Sequence, residues 1–476
     1  MISNPILTTS QRPAVLARLK DVLMEPLAEE DKTPIHDSVR LATERRSILL
    51  KVAGDFGTPC YVLSESDLVE RAGNFTRAFA RCGVRAETFY AYKANELPYL
   101  CRRLHREGLD AEVVSGMELQ LALKLGCKQI LFNGPAKSDE ELRLAAQHAD
   151  RVWLHVDHAN ELSRIRRLKL PAGRPIRMGV RIDPGARIGG TWRKFGVSPD
   201  DTVKLIRQII ATRGLKWEGL HGHMSWNTSP EPYRELIRIF ARVLRRLSLK
   251  ERACLQYIDL GGGFYPRGEG IRLLDTAIGR LILVAEAEAG CRLVDRREIF
   301  PRMADIPEYA SAISEEISRS ILSIPGIRQD LIVRFEPGRW IVNNTVGILV
   351  TTLTKKRRDA VIVDGGIHLT HDRRMEEEYH PVVNLSRPGH APRERKCRVF
   401  GPMCDPNDWW SDTCWGDLPV PGDHLWVANM GAYSSSSAMR FLFPLAPYVL
   451  LTKSGTARKL TERESFDRRY PREWFR

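Results

Sequence analysis

Long apolar runs are missing from this 476-residue sequence. None approaches the ~18 residues of a membrane span, and the richest stretches, near 281–285 and 441–451, read as core segments. The opening residues, MISNPILTTSQRPAVLARLK, lack the apolar core of a secretory signal. Paired cysteines are missing as well. The nine cysteines (Cys60, Cys82, Cys101, Cys127, Cys254, Cys291, Cys397, Cys404 and Cys414) are odd in number, dispersed and never in CxxC spacing. That pattern excludes a disulfide scaffold and a zinc ribbon, leaves no metal expected, and makes a reducing cytoplasmic compartment the simplest expectation. Disorder and fibrous repeats are excluded by ordinary proportions, 43% hydrophobic and 28% charged residues. The 73 basic and 59 acidic residues leave a net charge of +14. This surplus is spread along the chain, with local runs such as KKRRD at 355–359, and no aromatic-interleaved basic motif or finger spacing accompanies it. A surface that attracts anionic small molecules is expected, with neither nucleic acid nor membrane as partner.

What is present is a rhythm. Residues 1–56 read as a polar N-terminal extension with a short amphipathic stretch around 14–27. Across 57–340, eight short apolar or β-branched runs alternate with segments of helical periodicity: ETFYAY (87–92), DAEVV (110–114), QILFN (129–133), RVWLHV (151–156), IRMGVRI (176–182), GLHGHM (219–224), YIDLGG (257–262) and LIVRFE (331–336). Eight βα units joined by right-handed crossovers close most naturally into an α/β (β/α)8 barrel of the TIM type. The last connection is too long for one helix, which predicts an insertion at about 266–303. Over 341–455 the pattern changes to GILVTTLT, DAVIVDGG, CRVFGPM, DHLWVANM and YVLLTK, strands between Pro/Gly turns, and predicts an all-β sandwich or barrel. Residues 456–476 read as a basic tail.

Chemistry on such a barrel belongs at the C-terminal ends of its strands. There the sequence sets Lys93, Ser115, Asn133, Asp157, Asp183, His223, Gly261–Gly263, Glu336 and Arg339. Glycines after the seventh strand, with Gly338 and Arg339 after the eighth, would let backbone N–H groups and a guanidinium hold a phosphate. Lys93, inside FYAYKANEL, lies in an apolar setting that disfavours its ammonium form, as an imine-forming amine requires. Glu336 ends an otherwise apolar strand and needs a cationic partner to stay ionised. Phosphate cradle, lysine and carboxylate in one barrel mouth point to pyridoxal 5'-phosphate, with Glu336 keeping the pyridine nitrogen protonated.

The blocks GTPCYVLSESDL (57–68), YAYKANELP (90–98), DAEVVSGMEL (110–119), FNGPAKSDEEL (132–142), KFG (194–196), DLGGGF (259–264), EPGR (336–339), GPMCDPND (401–408) and NMGAY (429–433) occur in one order. In this the chain resembles the fold-type III pyridoxal-phosphate decarboxylases of ornithine, diaminopimelate and arginine, and diaminopimelate decarboxylases most of all. The resemblance implies an alanine-racemase-like barrel and a homodimer whose active site is shared across the interface. It implies that Lys93 joins the cofactor covalently, His223 stacks on its ring, and Gly261, Gly262, Gly263, Gly338 and Arg339 hold its phosphate. Glu336 would pair with the pyridinium nitrogen and Tyr433 would contact the cofactor. Cys404 would be a proton donor reaching in from the second subunit. Asp405 would touch the distal end of the substrate, with Asp408, Arg339 and Tyr433 also on the substrate side. The implied reaction is release of carbon dioxide from the α-carbon of an amino acid, a diamino acid or a relative of one, held as an imine of the cofactor.

Several positions depart from the family pattern. HGHMSWN (221–227) carries Trp226 where a small hydroxyl residue near the phosphate is usual. Asp372 and Glu376 stand where an arginine and a tyrosine bind the second carboxylate of diaminopimelate, and Asp405 replaces a glutamate. Trp409, Trp410 and Trp415 crowd the same region. These departures predict a distal pocket rebuilt for another substrate. A racemase or epimerase of the same fold, a lysine-dependent aldolase and a catalytically inactive partner-binding relative stay open; Glu336, rather than an arginine at the pyridine nitrogen, argues for decarboxylation.

Overall fold

A computed structural model of the chain describes residues 32–168, 174–185, 194–267, 302–370 and 379–475, with a few residues at 13–17 and in 271–299. Eight parallel strands close into a barrel: β2 (Arg85–Ala91), β3 (Asp110–Val113), β4 (Ile130–Phe132), β5 (Val152–Val156), β6 (Ile176–Arg181), β7 (Leu215–His221), β8 (Tyr257–Asp259) and β11 (Ile332–Phe335), with β11 pairing both β8 and β2. All eight coincide with the expected runs. The sixth begins earlier than its sequence signal, because the alternation LKWEG at its start hides the burial of Trp217 and Glu218. Preceding the barrel, β1 (Cys60–Ser64) stands at the head of the 57–340 segment but is no barrel strand.

Helices pack outside the strands for local reasons. Helix Glu65–Ala80 starts at Ser64, whose hydroxyl accepts the Asp67 N–H at 3.4 Å. Ser138 with Glu141, Ser248 with Glu251 and Asp305 with Glu308 form capping boxes that satisfy the first free N–H groups of their helices. Helix Glu231–Arg245 buries Tyr233, Leu236, Ile237, Phe240, Val243 and Leu244 on one face, and its arginines lie on the other.

The second unit is built on β12 (Val346–Arg357), β13 (Ala360–Val363), β14 (Val382–Asn384), β15 (Glu394–Phe400), β16 (Trp409–Trp415), β17 (His424–Val427), β18 (Tyr448–Leu451) and β19 (Ala457–Lys459). Their order runs β13-β15-β16-β14-β17-β12-β1-β18-β19, and β12 also pairs β13, so six strands close on themselves. Strand β1 completes this sheet, antiparallel to β12 and parallel to β18. Among the described residues, the chain thus passes through the β domain before entering the barrel.

The polar extension is not featureless. Helices Thr33–Glu44 and Arg46–Phe56 bury Ile35, Val39, Leu49 and Val52 against Leu349, Val383 and Trp415 of the β domain. The basic tail likewise supplies β19 and a short helix, Phe466–Arg469. Between β8 and β11 the insertion contributes a two-stranded ribbon of β9 (Ile271–Arg272) and β10 (Glu298–Ile299); most of it lies outside the described residues. Strand β16, missed in the sequence, carries all three crowded tryptophans, and two of them are buried. Trp410 donates to the Gly365 carbonyl at 2.7 Å and Trp415 to the Tyr379 hydroxyl at 3.1 Å, both buried, so they fill the β core rather than a substrate pocket.

Inside the barrel, bare backbone makes room for rings. A Cβ at Gly219 would sit 2.2 Å from the Tyr257 ring, whereas one at Gly54, on an exposed helix face, would meet nothing within 4 Å. Gly219→Ala is expected to cost about 1–3 kcal/mol by overpacking, and Gly54→Ala to be neutral or stabilising by up to ~1 kcal/mol. Urea unfolding of the two variants beside the parent measures both.

Candidate active site

The strand ends deliver a connected set of polar side chains to one mouth. Lys93 lies in the turn Tyr92–Ala94 that follows β2, and its ammonium bonds to Glu112 of β3. Asn133, just past β4, donates through Nδ2 to Glu112 at 3.2 Å and also to Glu336, just past β11. His221, the last residue of β7, brings Nε2 to 3.5 Å from Glu336 Oε1, and His223 brings Nδ1 to 3.8 Å from Oε2. The Gly262 N–H donates to His223 Nδ1 at 3.1 Å, and the Glu336 N–H to the Gly261 carbonyl at 2.8 Å. From the β domain, the Tyr433 N–H reaches the Ala94 carbonyl at 2.7 Å. Lys93, His223, Gly261–Gly263, Glu336 and Tyr433 are therefore brought together.

The glycine turn is required by its surroundings. A Cβ at Gly262 would lie 2.3 Å from the Glu336 carbonyl oxygen and one at Gly263 1.8 Å from the Met224 carbonyl oxygen, with Gly263 at φ +85°. Arg339 opens the helix Arg339–Val342 directly after Gly338, and its guanidinium lies 4.9 Å from the Tyr433 ring centroid.

Charge settles the states of these groups. Burial would push the Glu336 carboxyl up, yet His221, His223 and Lys93 together hold it well below the usual carboxylate range. Burial raises Glu112, and Lys93 only partly offsets this. Asp259, beneath the glycine turn, is raised by burial and by Glu336 despite accepting the Gly261 N–H at 2.9 Å. For Lys93 burial would lower the value, but Glu112, Tyr433 and Glu336 outweigh it and the ammonium is favoured. This corrects the expectation of a disfavoured ammonium: the apolar neighbours were legible, the facing carboxylates were not.

Other expected positions serve the scaffold. Ser115 caps the helix that starts at Gly116. Asp157 accepts the Gly196 N–H at 3.0 Å and lies 3.6 Å from Arg181, and Asp183 accepts the Gly185 N–H at 2.8 Å. Asp408 is buried, and its two oxygens accept the Ile367 and Met403 N–H groups at 2.8 and 2.7 Å, so its carboxylate is engaged by backbone rather than presented to substrate. Asp405 accepts from Asn407 at 2.8 Å in the same loop. Cys404 is exposed, and no hydrogen bond among the described residues joins that loop to the Lys93–Glu336 cluster. Asp372 and Glu376 lie outside the described residues.

Glu112, His221 and His155 were missed. Each is a polar residue on an inward position of an apolar strand, a signal present in DAEVV, GLHGH and WLHV. The His155 ring stacks on His221 at 4.6 Å, and its Nε2 meets the Tyr257 hydroxyl at 2.9 Å. Ligand atoms of His155, His221 and Glu336 lie within 4.8 Å of one another.

The mouth fits pyridoxal 5'-phosphate. It offers an amine at Lys93, an ionised carboxylate at Glu336 for a pyridinium nitrogen, and a turn that only glycine can form for a phosphate. Asn133 Oδ1 and both His221 ring nitrogens are buried without a hydrogen-bond partner, as expected of groups arranged around a further molecule.

Burial pushes His221 down to about 4, against the pull of Glu336. An unfolded histidine titrates near ~6.5. The stability carried by neutral His221 is therefore complete above about pH 6.5 and is lost as pH falls towards 4. Urea unfolding near pH 7 and about pH 5 should show the loss, and His221→Asn should reduce it by about 1–2 kcal/mol.

Comparison with known proteins agrees with this geometry. Residues 65–277 match the model of the pyridoxal binding domain of pyridoxal-dependent decarboxylases. A diaminopimelate decarboxylase of Methanothermobacter thermautotrophicus is 28% identical over 438 residues, covering 88% of this chain and 92% of its own. One of Actinosynnema pretiosum subsp. auranticum is 28% identical over 478 residues, covering 93% and 95%. The fold is that of diaminopimelate decarboxylase from M. jannaschii, solved in complex with L-lysine: TM-score 0.73, 24% identity, 88% of this chain and 93% of that one. With a lysine, a carboxylate and a glycine turn converging in such a barrel, residues 65–277 are similar to the pyridoxal binding domain of the pyridoxal-dependent decarboxylases.

Proposed function

We propose that the protein removes the α-carboxylate of an amino acid related to diaminopimelate, as carbon dioxide. The observation that carries this is the pair of opposite charges held in one mouth, Lys93 as ammonium and Glu336 as carboxylate, linked through Glu112 and Asn133. Bound pyridoxal phosphate supplies an aldehyde for amines and a protonated ring that accepts the electrons of a breaking bond.

The chain's own residues prepare this chemistry. Lys93 Nζ must shed a proton before it can act as a nucleophile, and Glu112 Oε2, raised by burial and in contact, is the acceptor. Glu336 holds a buried negative charge that would pair with the pyridinium nitrogen of the coenzyme, and such a pairing would bear on the chemical step more than on binding. His223 is fixed on its Nδ1 edge by the Gly262 N–H. Gly261–Gly263, Gly338 and Arg339 would hold the phosphate, with Tyr433 alongside.

Cys404 and Asp405 act from a second copy of the chain. Cys404 is exposed in its own subunit, as a proton donor delivered to a partner's site must be, and its thiol would return a proton to the α-carbon. Asp405 is the acidic group for the distal end of the substrate. The sequence differs from the diaminopimelate pattern at Asp372 and Glu376, where acidic residues stand in place of the arginine and tyrosine that hold a second carboxylate; a substrate with an amine or neutral distal end suits that change better. The eight described cysteines are free thiols, in keeping with a cytoplasmic enzyme, and among the described residues no helix is long and apolar enough to cross a membrane.

Purified protein supplied with pyridoxal phosphate and a panel of diamino and dicarboxylic amino acids, in both enantiomers, should release carbon dioxide from at least one. Borohydride reduction should trap the coenzyme on Lys93. Glu336→Gln should lower kcat by roughly 10²-fold or more while the trap on Lys93 still forms. Inversion of configuration without carbon dioxide would assign a racemase instead, and meso-diaminopimelate as the preferred substrate would contradict the rebuilt pocket.

A further inference from the structure

Trp226 has no ordinary reason to be where it is. It is a large ring that stays 44% exposed, and it holds a left-handed backbone at φ +64°, which a bulky residue adopts only at a cost. Neither core packing nor a turn preference accounts for it. Tyr433 repeats the oddity at φ +55°. The two rings share a neighbour, the Arg339 guanidinium, which lies 5.6 Å from the Trp226 centroid, 4.9 Å from that of Tyr433 and 5.7 Å from that of Tyr265. Trp226 also stacks on Tyr265, with centroids 5.7 Å apart and planes 21° off parallel.

The backbone ties this cage to the glycine turn. The Asn227 N–H donates to the Gly263 carbonyl at 2.9 Å, the Tyr265 N–H returns to the Asn227 carbonyl at 3.1 Å, and Asn227 bridges Phe264 in parallel register. An indole carried by residue 226 is thus set relative to Gly261–Gly263, and so is the cation among the rings. From this arrangement we infer that Trp226 is a positioning residue for the anionic end of the cofactor: with Tyr265 and Tyr433 it cages the Arg339 guanidinium beside the glycine turn. Aromatic faces attract a guanidinium and restrict its rotamers, so its positive charge is held in one place beside the glycine turn. A small hydroxyl residue at 226 could offer one hydrogen bond but no such cage.

The inference rests on the reading of the mouth as a pyridoxal phosphate site, and the test separates the two. Apoprotein is titrated with pyridoxal 5'-phosphate and with pyridoxal, which lacks the phosphate, and inorganic phosphate is used as competitor. Trp226→Gly removes the ring and eases the left-handed backbone; Trp226→Phe keeps a ring. The glycine variant should bind pyridoxal phosphate roughly threefold to tenfold more weakly, bind pyridoxal as the parent does, and be less sensitive to inorganic phosphate. The phenylalanine variant should recover most of the loss. In an Arg339→Gln background, Trp226→Gly should add nothing further. An unchanged ratio of the two affinities, equal weakening of both, or the full loss persisting without Arg339 would each overturn the cage. A parent protein that binds neither aldehyde would overturn the underlying reading as well.

Discussion

A carboxylate removed from water keeps its charge only among donors and cations, and Glu336 is buried at the centre of the barrel mouth. Its surroundings are organised around that constraint. Asn133 donates to one oxygen, His221 and His223 approach the two oxygens from β7 and the segment after it, and Lys93 adds positive charge across Glu112. The neighbouring acids take the opposite course: Asp259 and Glu112 are raised, so the negative charge is concentrated on one residue. Even the glycine turn follows, because the chain must pass the Glu336 carbonyl closely enough that Gly262 has no space for a Cβ.

Lysine placement depends on both units of the chain. The turn holding Lys93 is fixed from the β domain: the Tyr433 N–H and the Ser436 hydroxyl both bond to the Ala94 carbonyl, and Asn95 Nδ2 donates to the Gly431 carbonyl at 2.9 Å. That domain is itself stitched to residues ahead of the barrel through β1 and helices Thr33–Glu44 and Arg46–Phe56. Residues far from the mouth in sequence therefore hold the amine where the carboxylates can reach it.

Much of this was legible beforehand because the barrel strands are buried on both faces and read as compact apolar runs, and because glycines, Lys93, Glu336 and Arg339 fall directly behind them. What was not legible shares a physical cause. Glu112, His155 and His221 are single polar residues inside apolar runs, and sequence alone does not say which of them face one another across a closed barrel. The ammonium of Lys93 was misjudged for that reason, since its state is set by Glu112 on the next strand. Cys60–Ser64 falls inside the block GTPCYVLSESDL, and its membership of the β sheet depends on pairing with β12 and β18, some 280 and 390 residues away. The two helices of the extension were hidden because their mean composition is polar; only a narrow stripe of Ile35, Val39, Ala42, Leu49, Val52 and Ala53 is buried.

The ionised state of Glu336 against a ring nitrogen is the central requirement of the proposed chemistry. Its most direct test is the nitrogen-15 chemical shift of ring-labelled pyridoxal phosphate bound to the protein, beside that of the Glu336→Gln variant. A protonated ring nitrogen in the parent that becomes unprotonated in the variant is the predicted result. An unprotonated nitrogen in the parent, or one indifferent to position 336, would contradict the account.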